Sequence, residues 1–318
     1  MWLVLFIIGF LILIKGADLL VDGSSSLAKR LKVSDLVIGL TIVSIGTSAP
    51  ELFVNIISSL KDDSELVIGN ILGSNIANIL LILGISALIY PLMVKKSTIW
   101  KEIPFSLLAV IILAILANDI LIINSNINLV SRIDGIVLLF FFLVFLYYSF
   151  SLAREKNGIE EHLEVKPRKY FVIAGMIILG LLMLIVGARW VVDGAVRIAY
   201  YFGVSQFFIG LTIVAIGTSL PELVTSVVAA YKRKADIAIG NIVGSNIFNI
   251  FLILGISSIL NPIIITNPIN LDIGVLALAT LLFFIWMFVG KKHLLERWQG
   301  LIMFFSYIAY IIYLVYRG

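Results

Sequence analysis

Two stretches, GTSAPELFVN (46–55) and GTSLPELVTS (217–226), each set a glutamate beside a proline inside an otherwise apolar run. Proline has no N–H and its ring crowds the preceding turn, so Pro50 deprives the carbonyl of residue 46 of its usual helical donor, and Pro221 that of residue 217. In lipid an unpaired carbonyl costs several kcal/mol, so such a break is tolerated only inside protein or against a cavity. A bound cation could supply the missing partner, which makes the carbonyls of Ser44–Thr47 and Ala215–Thr218 candidate ligands, Ser44 and Ala215 among them.

Side chains add more oxygen. Thr47 and Glu51 are four residues apart on one helical face with Ser48 a step around, and Thr218, Ser219 and Glu222 repeat the pattern. Ser74 and Asn78 are likewise four apart, as are Ser245 and Asn249. Asn75 and Asn246 fall on a different face, where bracing between helices and coordination are equally open. The set holds carboxylates, hydroxyls and amide oxygens, with neither sulfur nor imidazole. Oxygen-only sets suit hard cations, and flexible coordination by many oxygens favours Ca²⁺ over Mg²⁺. A carboxylate at the bilayer midplane costs about 2.5–3.5 kcal/mol even on insertion scales. One Ca²⁺ or two Na⁺ would neutralise the two glutamates, and a third Na⁺ would leave one positive charge. Mutually exclusive occupancy of this kind is what antiport requires.

These residues need a membrane around them. Of 318 residues 61% are hydrophobic and 13% charged, against about 45–50% and 25% in soluble domains. Ten apolar runs can be read, near 2–22, 34–59, 66–88, 103–122, 132–151, 170–193, 205–230, 236–260, 272–290 and 298–316. Residues 2–14 lack the basic flank and cleavage site of a signal peptide and read as the first span. With no cysteine, thiolate and disulfide chemistry are excluded. Neither a phosphate-binding glycine loop nor a soluble nucleotide domain is visible, so the chain reads as a transporter rather than an enzyme. No cofactor and no obligate protein partner is expected beyond the lipid bilayer. The formal charge of +4 follows from loop distribution and points to no nucleic acid.

Seventeen of the 23 Lys and Arg residues fall in the loops after spans 1, 3, 5, 7 and 9. That bias places those loops, with the polar linker 152–169, in the cytoplasm of a cell membrane and both termini outside. His162 and His293 sit in polar connections without an expected role. Asp18, Asp22 and Asp193 lie near predicted span ends, where helix termination or a peripheral ion path are the alternatives. Lys15 and Arg189 can snorkel.

The halves match at a constant offset of 171. GADLLVDG (16–23) pairs with GARWVVDG (187–194), GLTIVSIGTSAPEL (39–52) with GLTIVAIGTSLPEL (210–223), and IGNILGSNIANILLILGIS (68–86) with IGNIVGSNIFNIFLILGIS (239–257). Five spans per half, an odd number, turn the second half upside down. The expected fold is an all-α polytopic membrane protein of ten transmembrane helices, two inverted five-helix repeats at 1–151 and 170–318. Inverted repeats with broken helices are the architecture of secondary transporters, with the site near the midplane.

The paired GTS-x-PEL segments, each followed by GNI-x-GSNI-x-NI, resemble the alpha repeats of the sodium/calcium exchanger family, within the cation/calcium exchanger superfamily, and the short linker resembles its compact prokaryotic members. The resemblance implies alternating-access exchange of about three Na⁺ for one Ca²⁺, which is electrogenic. Glu51 and Glu222 would be the acids shared by both ions. Thr47 and Thr218 would give backbone and hydroxyl oxygens, and Ser48, Ser74, Ser219 and Ser245 would build flanking sodium sites. Asn78 and Asn249 would be the central amides, with Ser44 and Ala215 contributing carbonyls. Potassium-dependent relatives carry Asp where this chain has Asn249, which leans against potassium dependence. The alternatives are a cation/proton antiporter and a passive cation channel. Spans 1 and 6 are expected to move against a static core.

Overall fold

The computed structural model describes residues 2–123, 127–154, 168–201, 215–265 and 269–317. Most of the predicted linker and the start of the seventh predicted span lie outside the described residues. Apolar helices follow at the predicted positions: α1 (Trp2–Leu31), α2 (Asp35–Thr47 continued as Ala49–Leu60), α3 (Ser64–Ile89), α4 (Lys96–Leu116), α5 (Arg132–Arg154), α6 (Tyr170–Tyr201), α7 (Ala215–Thr218 continued as Leu220–Tyr231), α8 (Ala235–Leu260), α9 (Asn270–Trp286) and α10 (Arg297–Arg317). Seven of these are long and apolar enough to cross a bilayer singly, and the bent α2 makes an eighth. Among the described residues α9 and the second arm of α7 are shorter, at 17 and 12 residues.

α1 runs well past the predicted end at residue 22. Gly23 followed by three serines reads as a break, yet Ser26 turns its hydroxyl back onto the Asp22 carbonyl at 2.7 Å and the helix continues. Asp18 and Asp22 are therefore mid-helix, and so is Asp193, since α6 continues to Tyr201. Helix termination is not their role.

Two short antiparallel ladders qualify the all-α description. β1 (Leu92–Met93) pairs with β4 (Leu294–Leu295), and β2 (Asn128–Val130) with β3 (Ile263–Ile265). β1 follows α3 as β3 follows α8, and β2 precedes α5 as β4 precedes α10. Each ladder thus takes one strand from each half, and exchanging the halves exchanges the ladders. The same parity governs the ion pairs. Lys95 meets Asp236 at 2.6 Å, joining the connections after α3 and α7. Arg317 meets Asp272 at 2.9 Å, joining the end of α10 to the first turn of α9, at the end of the connection after α8. Each contact joins odd loops to odd or even to even, as ten spans require.

α3 and α8 form the centre: 78% and 83% of their most apolar stretches are buried, against 17% for α5. α1 and α6 lie together at the flank, held backbone to backbone through glycines. A Cβ on Gly16 would stand 2.9 Å from the Gly180 carbonyl oxygen, and one on Gly180 only 2.8 Å from the Gly16 oxygen. Such close approach between small residues is how helices associate in lipid, where no hydrophobic force drives them. Gly16→Ala should cost about 1–3 kcal/mol by overpacking. Thermal melting of the detergent-solubilised protein reads this, and an unchanged transition would mean that the helices are not in backbone contact.

Candidate ion-binding site

Both α2 and α7 break one residue before the Ala/Leu-Pro-Glu step. Ser48 (φ −82°, ψ 6°) and Ser219 (φ −85°, ψ 5°) leave helical geometry, and the arms of α2 meet at 46°. Pro50 and Pro221 begin the second arms, where a missing N–H costs nothing. Glu51 and Glu222 then sit in the first turns of those arms, the end of a helix whose amide dipoles favour negative charge. Sequence logic anticipates a break at each proline, and the structure sets it two residues earlier, at Ser48 and Ser219.

The two breaks face one another. Ser48 donates to Glu222 Oε1 at 2.9 Å, and Ser219 donates to Glu51 Oε1 at 3.3 Å, so each half holds the other half's acid. Ser48 also lies 2.9 Å from Ser245 Oγ, which reaches Glu222 Oε1 at 3.5 Å. Both glutamates are at most 2% exposed. Among the described residues neither is paired with Lys, Arg or His.

α3 and α8 supply amides through a reciprocal bridge. Asn75 Nδ2 donates to the Asn246 carbonyl and Asn246 Nδ2 to the Asn75 carbonyl, both at 3.3 Å. Their side-chain oxygens accept from the partners that matter: Asn246 Oδ1 from Asn78 Nδ2 at 2.9 Å, Asn75 Oδ1 from Asn249 Nδ2 at 2.8 Å. With each NH₂ committed, Asn78 and Asn249 are left presenting Oδ1. Asn75 and Asn246 are thus braces that orient the amide oxygens. Both oriented residues lie in π-helical turns, Ala77–Leu83 and Asn249–Leu254. Such turns widen the helix and recur at functional sites.

On the paired acids and the two oriented amides, four buried acceptors are without a hydrogen-bond donor among the described residues: Oε2 of Glu51, Oε2 of Glu222, Oδ1 of Asn78 and Oδ1 of Asn249; Asn55 Oδ1, Glu102 Oε2 and Asn118 Oδ1 are donor-free as well. Buried polar atoms are paired in the great majority of cases, and leaving one unpaired costs about 1–3 kcal/mol. These four are all acceptors, two from each half and two of them carboxylate oxygens, a donor set suited to a cation. Ser74 Oγ is also buried and unpartnered.

The other expected ligands are placed as follows. Thr47 directs its hydroxyl proton to Asn241 Oδ1 at 2.9 Å, and Thr218 its own to Asn70 Oδ1 at 3.3 Å. The Ser44 carbonyl, expected to be open, accepts from the Ser48 N–H at 3.0 Å, and the Thr47 hydroxyl oxygen lies 3.4 Å from it. Ala215 begins its helical turn, and its side chain lies outside the described residues. Asn70 and Asn241 were not among the sequence candidates. They stand at the same place in the two repeats and precede Ser74 and Ser245 by one helical turn, a signal present in the motif but not used.

Asn246→Ala would free the Asn78 amide to rotate. It should raise the KM for Ca²⁺ roughly tenfold, the scale on which outer-shell partners of ligands act. An unchanged KM in liposome uptake would reduce the bridge to helix packing alone.

The model of the family described as "Sodium/calcium exchanger protein" matches residues 1–151 and 172–316. A putative antiporter, CaxA of Alkalimonas amylolytica, is 37% identical over 96% of this chain and 95% of its own. The sodium/calcium exchanger MaX1 of Methanosarcina acetivorans is 31% identical over 98% and 97%. Among solved structures, the sodium-calcium exchanger NCX_Mj soaked with Na⁺ and Ca²⁺ superposes with a TM-score of 0.82 at 35% identity, covering 98% of this chain and 97% of that one.

Proposed function

The chain belongs to the sodium/calcium exchanger protein family, and on that premise we propose that it exchanges Na⁺ for Ca²⁺ through the paired acids at the two helix breaks. The transport is secondary-active antiport by alternating access. The observation that carries the assignment of the site is the set of four buried, donor-free oxygens on Glu51, Glu222, Asn78 and Asn249. Ser48, Ser219 and Ser245 border those acids and, with Ser74, serve the flanking sodium positions. Thr47, Thr218 and Ala215 serve through the carbonyls at the breaks, and Ser44 through the second lone pair of a carbonyl that already accepts from the Ser48 N–H, with the threonine hydroxyls held by Asn241 and Asn70.

The loops after the odd-numbered helices face the cytoplasm and both termini face outward, a reading supported by the distribution of basic residues. The inverted repeats end near residue 151 and resume near 170, with the connection between them cytoplasmic. About three Na⁺ are exchanged for one Ca²⁺.

The deciding experiment is radioactive Ca²⁺ uptake by proteoliposomes loaded with Na⁺ and diluted into choline. Uptake is expected only with internal Na⁺. Equal uptake from choline-loaded vesicles would remove sodium coupling, and an imposed pH gradient would then separate proton antiport from passive leak.

A further inference from the structure

Outside the ion site, an ionic cluster joins the flank to the core. Lys232, which closes α7, places Nζ 2.5 Å from Asp18 Oδ1 and 2.7 Å from Asp22 Oδ1, one turn apart on α1, and 3.3 Å from the Asp18 carbonyl. The tethered arm of α7 is the one that carries Glu222, and α1 packs along its length.

The offset of 171 carries this cluster to the opposite face. Lys232 corresponds to Lys61 at the end of α2, Asp22 to Asp193 on α6, and Asp18 to Arg189. There the groups are apart. Among the described residues Lys61 has no ion-pair partner and is exposed. Asp193 is 63% exposed and, among the described residues, its one ion pair is with Arg189 of its own helix, at 3.9 Å. α6 makes no packing along Ala49–Leu60 comparable to that of α1 along Leu220–Tyr231. Phe53 and Ile57 are accordingly 63% and 52% exposed, whereas their equivalents Val224 and Val228 are half-buried against the core. One repeat is fastened at its end and the other is not.

We propose that Lys232 with Asp18 and Asp22, and Lys61 with Asp193, are two alternating ionic latches that hold the α1–α6 pair against one face of the core in each half of the exchange cycle. This rests on the alternating-access reading above. The glycine contact makes α1 and α6 a single body, so a movement that draws Asp193 to Lys61 withdraws Asp18 and Asp22 from Lys232. Forming one latch offsets the cost of opening the other, which keeps either closed state from becoming a trap. The latches are unequal. Lys232 has two carboxylates, whereas Lys61 would share one with Arg189, a like charge. The state seen here, closed at Lys232, is therefore the resting state.

The inequality supplies a test by gain of interaction. Arg189→Asp gives the Lys61 face the same two acids, at a side chain that is 81% exposed rather than packed in the core. It should shift the ratio of Ca²⁺ KM values measured from the two faces by roughly threefold, the factor a partly exposed ion pair supports, in favour of the Lys232 face. Lys61→Gln in that background should abolish the shift and carry the ratio past its starting value in the opposite direction, because the native Lys61–Asp193 latch is lost with it. A ratio unmoved by Arg189→Asp, at unaltered kcat, would overturn the proposal.

Because the chain has no cysteine, proximity can be read independently of transport in two variants. One carries Asp22→Cys with Lys232→Cys and the other Lys61→Cys with Asp193→Cys, each treated with a bifunctional methanethiosulfonate. The first pair should cross-link at rest, and the second only during exposure to Na⁺ or Ca²⁺. A second pair that never links, in a protein that exchanges the ions, sinks the latches and leaves exchange standing. Alternate linking in a protein that transports no Ca²⁺ against Na⁺ has the reverse meaning.

Discussion

Glu51→Gln and Glu222→Gln should each lower sodium-dependent Ca²⁺ exchange by roughly two to three orders of magnitude, the factor expected when one member of a buried charge set is removed. Glutamine keeps the length and shape of the side chain, so the effect isolates charge. With both acids ionised, one Ca²⁺ leaves the site neutral. With one amide, the same ion leaves an uncompensated positive charge inside a cavity that holds no other carboxylate among the described residues. The amide also brings an NH₂ group toward Asn78 Oδ1 and Asn249 Oδ1, which lack donors in the native protein. It can thus quench a ligand oxygen while removing another. The measurement is isotope flux, paired with a melting curve to show that the variant is folded. A folded Glu222→Gln protein that exchanges at the native rate would detach the function from the paired acids.

Near equality of the two losses is a further expectation. Each acid accepts from the serine of the other half, Glu222 from Ser48 and Glu51 from Ser219. Ser245 reaches Glu222 in addition, with no matching contact between Ser74 and Glu51. The repeat is symmetric in its chemistry and unequal in its hydrogen bonds, so any difference between the variants measures that inequality.

The repeated Pro-Glu and Ser-Asn motifs made the acids, the broken helices and the inverted halves legible in the sequence, because each depends on residue type at fixed spacing. The π-turns were not legible. They are a slip of backbone hydrogen bonding that Ala77–Leu83 and Asn249–Leu254 share with no distinctive residue. The bracing role of Asn75 and Asn246 was open for a related reason. Spacing placed them off the face of Asn78 and Asn249, but whether that other face meets an ion or a helix depends on how α3 and α8 cross. The length of α1 was misread because a Gly-Ser-Ser-Ser run is a loop signature in water. In the packed protein Ser24, Ser25 and Ser26 are buried within a continuing helix. The Lys232 cluster was hidden for the same reason, since its acids seemed to lie at a helix end.

The exchange should also respond steeply to voltage. In proteoliposomes whose potential is set by a potassium gradient and valinomycin, each 100 mV is expected to change the Ca²⁺ ratio sustained by a fixed Na⁺ gradient about fiftyfold. That factor is one net charge crossing the full field, about 2.3 kcal/mol. The sign follows from the site. Two ionised glutamates carrying one Ca²⁺ are neutral, so the calcium half of the cycle moves no charge. The same acids carrying three Na⁺ are singly positive, so the sodium half moves one charge inward when Ca²⁺ is exported, and an inside-negative potential favours export. Two Na⁺ would make both halves neutral and the ratio independent of voltage. A flat response would remove the third Na⁺ while leaving antiport through Glu51 and Glu222 intact. A response of opposite sign could not be reconciled with two carboxylates that both stay ionised through the cycle.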